Sequence, residues 1–144
     1  VAFGQKPGGL PVISINGDGG VLMNIQELGV AAAHKLPLKV VILNNSYLGM
    51  VRQWQELFHE ERYSHTDLTP TNPDFVKLAE AFNCVGLRCE RPEDIQSTID
   101  AAWEVTDRPV VMDFKVIMEE KVFPMVPSGA TTDEMITASA EDIN

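Results

Sequence analysis

Cysteine is scarce in this chain, with Cys84 and Cys89 its two examples. Their spacing suits no common metal knuckle and one pair makes no disulfide framework, so both read as reduced thiols and point to a cytoplasmic protein. Basic residues are also few. Eleven Lys and Arg stand against 21 Asp and Glu, a formal net charge of −10. Such a chain repels a phosphate backbone, which excludes general nucleic-acid binding. Any phosphate it binds must be held by backbone N–H groups or through a metal. Long apolar runs are missing too: the longest, residues 28–33 and 40–43, fall far short of the ~18 residues a membrane span needs. The opening residues show no basic head followed by an apolar stretch, so no signal peptide is expected. Neither repeats nor low-complexity tracts occur. What remains is a chain of 144 residues, 44% hydrophobic, enough for one ordinary core.

The order of elements follows from periodicity. Residues 11–16 (PVISIN) form a short β-branched run ending in the turn signal Gly17-Asp18-Gly19-Gly20, which reads as a buried strand. From Val21 the period becomes helical, with Val21, Ile25, Leu28 and Ala32 on one face and Pro37 closing the region. Residues 38–43 (LKVVIL) are a near-continuous apolar strand of the kind parallel sheets bury on both faces. A helix is expected over 50–60 and a polar loop over 61–71. Asn72 is expected to cap the next helix, with Pro73 in its first turn and Phe75, Leu78, Ala79 and Phe82 facing inward. A strand over 85–88 and a helix opened by Pro92, with Ile95, Ile99 and Ala102 inward, precede a last strand over 109–116. This alternation predicts an α/β fold: a doubly wound, mostly parallel sheet flanked by helices. Residues 1–117 are expected to form the domain and 118–144 its irregular C-terminal tail.

In open α/β sheets a ligand sits beyond the carboxyl ends of the strands. The first strand end here carries Gly17, Asp18, Gly19 and Gly20 and leads into a helix. Glycines let the backbone approach a ligand closely, and a helix start offers free N–H groups to a phosphate. Asp18 would repel that phosphate unless a cation lay between them, which suggests Mg²⁺. The second strand end gives Asn44-Asn45-Ser46-Tyr47, and an asparagine supplies a neutral hard oxygen to such an ion. Alone, the first motif is commonly a tight turn and the second a cap. Together, with Asp18 and Asn45 27 residues apart at consecutive strand ends, they read as a metal–diphosphate site.

The Gly-Asp-Gly…Asn-Asn pair resembles the thiamine-diphosphate-binding signature. Residues 44–54 (NNSYLGMVRQW), Tyr63-Ser64-His65-Thr66, Asn72-Pro73-Asp74-Phe75 and Pro124-Met125-Val126 resemble the C-terminal domain of the acetohydroxyacid (acetolactate) synthase catalytic subunit. The resemblance covers about residues 11–136 and implies the thiamine-diphosphate-binding fold. It implies that Asp18, the Asn45 side chain and the Tyr47 carbonyl ligate Mg²⁺. Gly19 and Gly20 would cradle the diphosphate, with Gly17, Leu48 and Gly49 completing the cofactor-binding loops. Met23 and Met50 would lie against the cofactor. Trp54 would line the substrate pocket and favour 2-ketobutyrate as acceptor, and Ser128 would sit on a tail folded back toward the site.

The implied reaction condenses pyruvate with a second 2-ketoacid in branched-chain amino acid biosynthesis. The glutamate that activates the cofactor belongs, in the family, to a separate pyrimidine-binding domain. No catalytic residue is therefore expected on this chain, which would be part of a longer subunit and inactive alone. Implied partners are 2-ketoacids, the rest of the catalytic subunit, a second copy of it and a regulatory subunit. FAD would be bound by another domain of the full enzyme. Three alternatives stay open: another thiamine-diphosphate-dependent decarboxylase or carboligase, a diphosphate-binding module without catalysis, and a plain doubly wound domain in which Asp18 sits in a structural turn. Met23 and Met50 could equally be core fillers. Glu27 reads as a solvated or capping residue, and His34, His59 and His65 show no ligand spacing.

Overall fold

The computed structural model describes residues 11–137. Four strands form one fully parallel sheet: β1 (Val12–Gly17), β2 (Leu38–Asn44), β3 (Val85–Cys89) and β4 (Val110–Lys115), in the order β1-β2-β4-β3. The helices are α1 (Asp18–Val21), α2 (Glu27–Ala33), α3 (Gly49–Phe58), α4 (Phe75–Ala81) and α5 (Ile95–Glu104). Successive residues of a strand point to opposite faces, so each face collects its own core. On one face Leu28, Val40, Ile42, Phe75, Ala79, Cys84 and Val111 are buried together, with Val21, Leu22 and Ile25 packed against them. On the other, Ala102 of α5 packs with Val110 and Met112. The expected doubly wound α/β architecture is therefore present, with β2 and β4 in the middle of the sheet.

Helices α2 and α4 end in left-handed turns made without glycine. After α2, Lys35 takes a left-handed φ of 50° while its N–H donates to the Ala32 carbonyl and that of Leu36 to Ala31. After α4, Asn83 (φ 59°) and Cys84 repeat the arrangement on Glu80 and Ala79. These paired bonds satisfy the last carbonyls of each helix and turn the chain into the next strand.

Four expectations change. The strand over 11–16 is not buried: β1 is an edge strand, and Ile13 and Ile15 are 51% and 67% exposed. The helix α5 covers the second face over β3 and β4 and leaves this part bare. The helix expected from Val21 begins earlier, at Asp18, and is broken by a 3-10 turn at Leu22–Asn24. Its apolar face survives the break because Val21, Leu22, Ile25 and Leu28 all still reach the core. Asn72 does not cap α4. Asp74 does, accepting from the N–H groups of Val76 and Lys77, so Pro73 precedes the cap. Finally, Pro92 opens a 3-10 turn, and on α5 Ile95 is exposed while Thr98 takes the buried place. The Thr98 hydroxyl meets its own need by donating to the Asp94 carbonyl at 2.8 Å.

Candidate functional site

The parallel register places Gly17 of β1 opposite Leu43 of β2. The two chains therefore leave the sheet side by side, into Asp18 and into Asn44-Asn45. Gly17 is the N-cap of α1 in extended conformation, and Asp18, first residue of the helix, is 1% exposed. A buried carboxylate needs partners. One is Asn72, whose amide Nδ2 donates to Asp18 Oδ2 at 2.6 Å. The Oδ1 of Asn72 is buried and is the one buried side-chain polar atom without a hydrogen bond among the described residues.

Gly19 is where the first loop meets the second. A Cβ there would stand 2.8 Å from Leu48 Cδ2 and 3.0 Å from Leu68 Cδ1, so the backbone of the first loop packs against the ends of these two leucine side chains, which an added methyl would have to push aside. Gly20 is different: it is exposed and a Cβ would meet nothing within 4 Å.

The turn after β2 is held by its own asparagines. Asn44 is buried; its Nδ2 donates to Asp113 Oδ1 at 2.8 Å, and its Oδ1 accepts from the Ser46 N–H and hydroxyl. That grip keeps Ser46 in the left-handed region at φ 60°, which a residue with a side chain adopts at a cost. Asn45 Oδ1 accepts from the Tyr47 N–H at 3.0 Å, one bond for an oxygen with two lone pairs. Tyr47 pairs with Asp67 across an antiparallel bridge whose bonds run from Leu48 N–H to the Thr66 carbonyl and from Leu68 N–H to the Ser46 carbonyl. Neither uses the Tyr47 carbonyl. The Arg52 guanidinium lies 5.0 Å from the Tyr47 ring and 5.2 Å from the Tyr63 ring.

Helix α3 follows, opened by Leu48 and Gly49. Met50 near its start is 48% exposed and Met23 is 74% exposed, so neither fills the core. Trp54 is half-buried and packs its ring on Phe58 with centroids 5.3 Å apart. Ser128 is exposed on a turn of the tail in which the Ala130 N–H donates to the Pro127 carbonyl. The three histidines and Glu27 are exposed, and the described residues hold no cluster of three His, Cys, Asp or Glu able to bind a metal. A carboxylate, an amide oxygen and a backbone carbonyl are outside such a grouping, and they are the oxygens this site offers.

Sequence reasoning missed four residues that organise the site. Asp113 is fully buried on β4; beside Asn44 it receives Arg88 Nε at 3.3 Å and Lys115 Nζ at 3.4 Å. Arg88 Nη2 reaches on to Asp74 Oδ1 at 2.7 Å, so one buried carboxylate braces both the Asn44 turn and the cap of α4. Gln53 is buried on α3; its Oε1 accepts from the Val122 N–H at 2.8 Å and its Nε2 donates to the Val122 carbonyl at 3.1 Å. This paired contact fastens the tail to α3, alongside Arg52 on the Met118 carbonyl and Lys121 on Glu56. Asn72 is the fourth. The signal for Asp113 was available: a charge inside the run Val-Val-Met-Asp-Phe of a central strand must find partners.

With this geometry in place, similarity to known proteins can be set beside it. Residues 1–114 match the family described as thiamine pyrophosphate enzyme, C-terminal TPP binding domain. The chain belongs to this family. It is 52% identical over 142 residues to an acetolactate synthase of Mycobacterium avium, which spans 95% of the chain and 23% of that relative. It is 46% identical over 125 residues to the acetolactate synthase isozyme 2 large subunit of Escherichia coli K12, covering 87% of the chain and 22% of the relative. Among solved structures, the thiamine diphosphate-dependent 4-hydroxybenzoylformate decarboxylase of Rhodococcus jostii RHA1 superposes with a TM-score of 0.69 at 28% identity, over 77% of this chain and 20% of that one. The chain thus spans less than a quarter of the length of the relatives it matches.

Proposed function

We propose that this chain is the cofactor-anchoring part of an acetolactate synthase catalytic subunit, holding thiamine diphosphate through Mg²⁺ while pyruvate is condensed with a second 2-ketoacid. The observation that carries the reading is the close approach of Gly19 to Leu48, which sets the loop bearing Asp18 against the loop bearing Asn45. The donor set fits the ion: Asp18 gives an anionic oxygen, the Asn45 amide has a lone pair to spare, and the Tyr47 carbonyl lies outside the bonds of its bridge. Hard oxygens of this kind suit Mg²⁺, which usually binds one or two carboxylates and completes its shell from phosphate oxygens and water.

In this reading Asp18, Asn45 and Tyr47 hold the cation. The N–H groups of Gly19 and Gly20, at the start of α1, face the diphosphate, with Gly17, Leu48 and Gly49 shaping the loops around it. When bound, the cofactor supplies the covalent chemistry of decarboxylation and carbon–carbon bond formation. The chain's own share is orientation and charge neutralisation. Met23 and Met50, both exposed, offer an apolar surface to the cofactor, and Trp54 on α3 lines the acceptor pocket. Ser128, on the tail that Gln53 fastens, approaches the substrate side. The partners are 2-ketoacids, the remainder of the catalytic subunit, a second copy of it and a regulatory subunit; FAD belongs to another part of the enzyme. No helix among the described residues is long and apolar enough to cross a membrane, and two buried free thiols agree with a cytoplasmic setting.

Equilibrium dialysis of the 144-residue chain tests the anchoring role. Thiamine diphosphate is retained with Mg²⁺ and lost with a chelator, whereas thiamine, lacking the diphosphate, is not retained in either condition. Retention that ignores the metal would overturn the reading. The activating glutamate is expected on another domain, so the purified chain is expected to form no acetolactate from pyruvate with cofactor and Mg²⁺ present.

A further inference from the structure

The Asn72 side chain has no role in the local structure that surrounds it. The loop before α4 is held by backbone bonds from the Thr71 and Asn72 N–H groups to the Leu68 carbonyl, and the cap of α4 is Asp74. The side chain instead crosses to a residue 54 positions away, donating to Asp18 Oδ2 at 2.6 Å. The opposite amide orientation would set two acceptors against each other at that distance, so Nδ2 faces the carboxylate. Oδ1 is then left buried and unpartnered. In an amide the oxygen lies only about 2.2 Å from the nitrogen, by standard bond lengths, so this acceptor sits within about 5 Å of the Asp18 carboxylate. Buried acceptors are rarely left without a donor. A second observation ties the same segment to the site: Leu68, whose carbonyl holds Asn72, is one of the two side chains against which Gly19 packs.

We propose that Asn72 is the positioning residue of the divalent-cation site at Asp18, a role that rests on the metal–diphosphate reading above. Its Nδ2 fixes one carboxylate oxygen, which leaves the other turned toward the cation. Its Oδ1 accepts a hydrogen bond from a water that hydrates the cation. Partners of this kind orient the ligands they touch, and their loss typically weakens metal affinity about 10–100-fold.

The test measures Mn²⁺, an octahedral stand-in for Mg²⁺, binding to the full 144-residue chain with thiamine diphosphate present, by the loss of the free-ion electron paramagnetic resonance signal. Asn72→Ala and Asn72→Leu are compared with the parent chain, the second so that a void is not what is measured. Ligand-free melting and far-ultraviolet circular dichroism confirm that each variant is folded. Both should bind Mn²⁺ about 10–100-fold more weakly, while Thr71→Ala binds as the parent does. Displacement by Mg²⁺ and by Ca²⁺ supplies a readout that general loosening of the loop would not give. Ca²⁺ tolerates irregular shells whereas Mg²⁺ demands a near-octahedral one, so the ratio of Mg²⁺ to Ca²⁺ affinity, each read by displacement of Mn²⁺, should fall in both Asn72 variants. Parent-like Mn²⁺ affinity in both variants, with binding abolished by Asp18→Ala, would refute the role of Asn72 and leave the cofactor reading intact. Equal weakening of Mg²⁺ and Ca²⁺ would also refute it, by reducing Asn72 to loop order. A parent chain that binds no Mn²⁺ overturns the underlying reading itself.

Discussion

Asn44 and Asp113 meet inside the sheet, amide nitrogen to carboxylate oxygen at 2.8 Å, and through that bond the turn after β2 is tied to the neighbouring central strand. Both side chains are buried. Replacing Asp113 with alanine strands the Asn44 amide, leaves Arg88 paired with Asp74 alone and lets Lys115 turn to solvent. The expected loss is about 1–3 kcal/mol, the usual penalty for a buried polar group deprived of its partner. Urea unfolding of Asp113→Ala measures it, and an unchanged midpoint would mean that the network does not brace the fold.

Gly86 and Gly20 separate packing from binding. A Cβ on Gly86 would lie 2.7 Å from the Val76 carbonyl oxygen and 2.8 Å from its Cα. Backbone cannot rotate away as a side chain can, so Gly86→Ala is expected to cost at least about 1–3 kcal/mol through overpacking of α4 on β3. Denaturant unfolding reads this directly.

Gly20→Ala carries the opposite sign. The added methyl meets nothing within 4 Å and lies in a helix, so the ligand-free chain should gain up to about 1 kcal/mol. The same methyl would obstruct a diphosphate seated on that N–H. Melting with and without Mg²⁺ and cofactor should show a higher starting midpoint and a smaller ligand-induced rise. A rise as large as the parent's would remove Gly20 from the cradle.

Much of the fold was legible because the central strands β2 and β4 read as near-continuous apolar runs, although the structure leaves Leu43 at the end of β2 45% exposed. The edge position of β1 was not, since Val12–Gly17 has the composition of an inner strand and only its neighbours decide which face is covered. Asp18 and Asn45 stood out as candidates from residue type and spacing. Asn72 was read as a cap because Asn72 and Asp74 are both good capping residues, and which one the helix uses depends on where Phe75 must point to reach the core. Gln53 gave no signal at all, because a buried glutamine is explained only by the strand of tail it holds.

Acid should weaken the chain through identifiable carboxylates. The Lys77 N–H and the Arg88 guanidinium hold the Asp74 carboxyl below the usual range, the Thr69 hydroxyl and N–H lower Asp67, and the Thr131 N–H lowers Glu134. A lowered folded-state value means that the stabilisation is present above the unfolded-state pKa of about 4 and disappears as pH falls through the folded value. The melting midpoint should hold above about pH 5 and drop below about pH 4. Asp74→Asn should lower the midpoint at pH 6 and converge with the parent near pH 2. A gap that stays constant across that range would contradict the assignment.

The central claim is that Asp18 and Asn45 share one cation which anchors a diphosphate. Thermal melting of the chain, with and without Mg²⁺ and thiamine diphosphate together, tests it most directly, because a ligand that binds only the folded state raises the midpoint. The account predicts a rise that needs both additives and vanishes in Asp18→Ala and Asn45→Ala. A midpoint that stays where it was, or a rise that survives both substitutions, would contradict it.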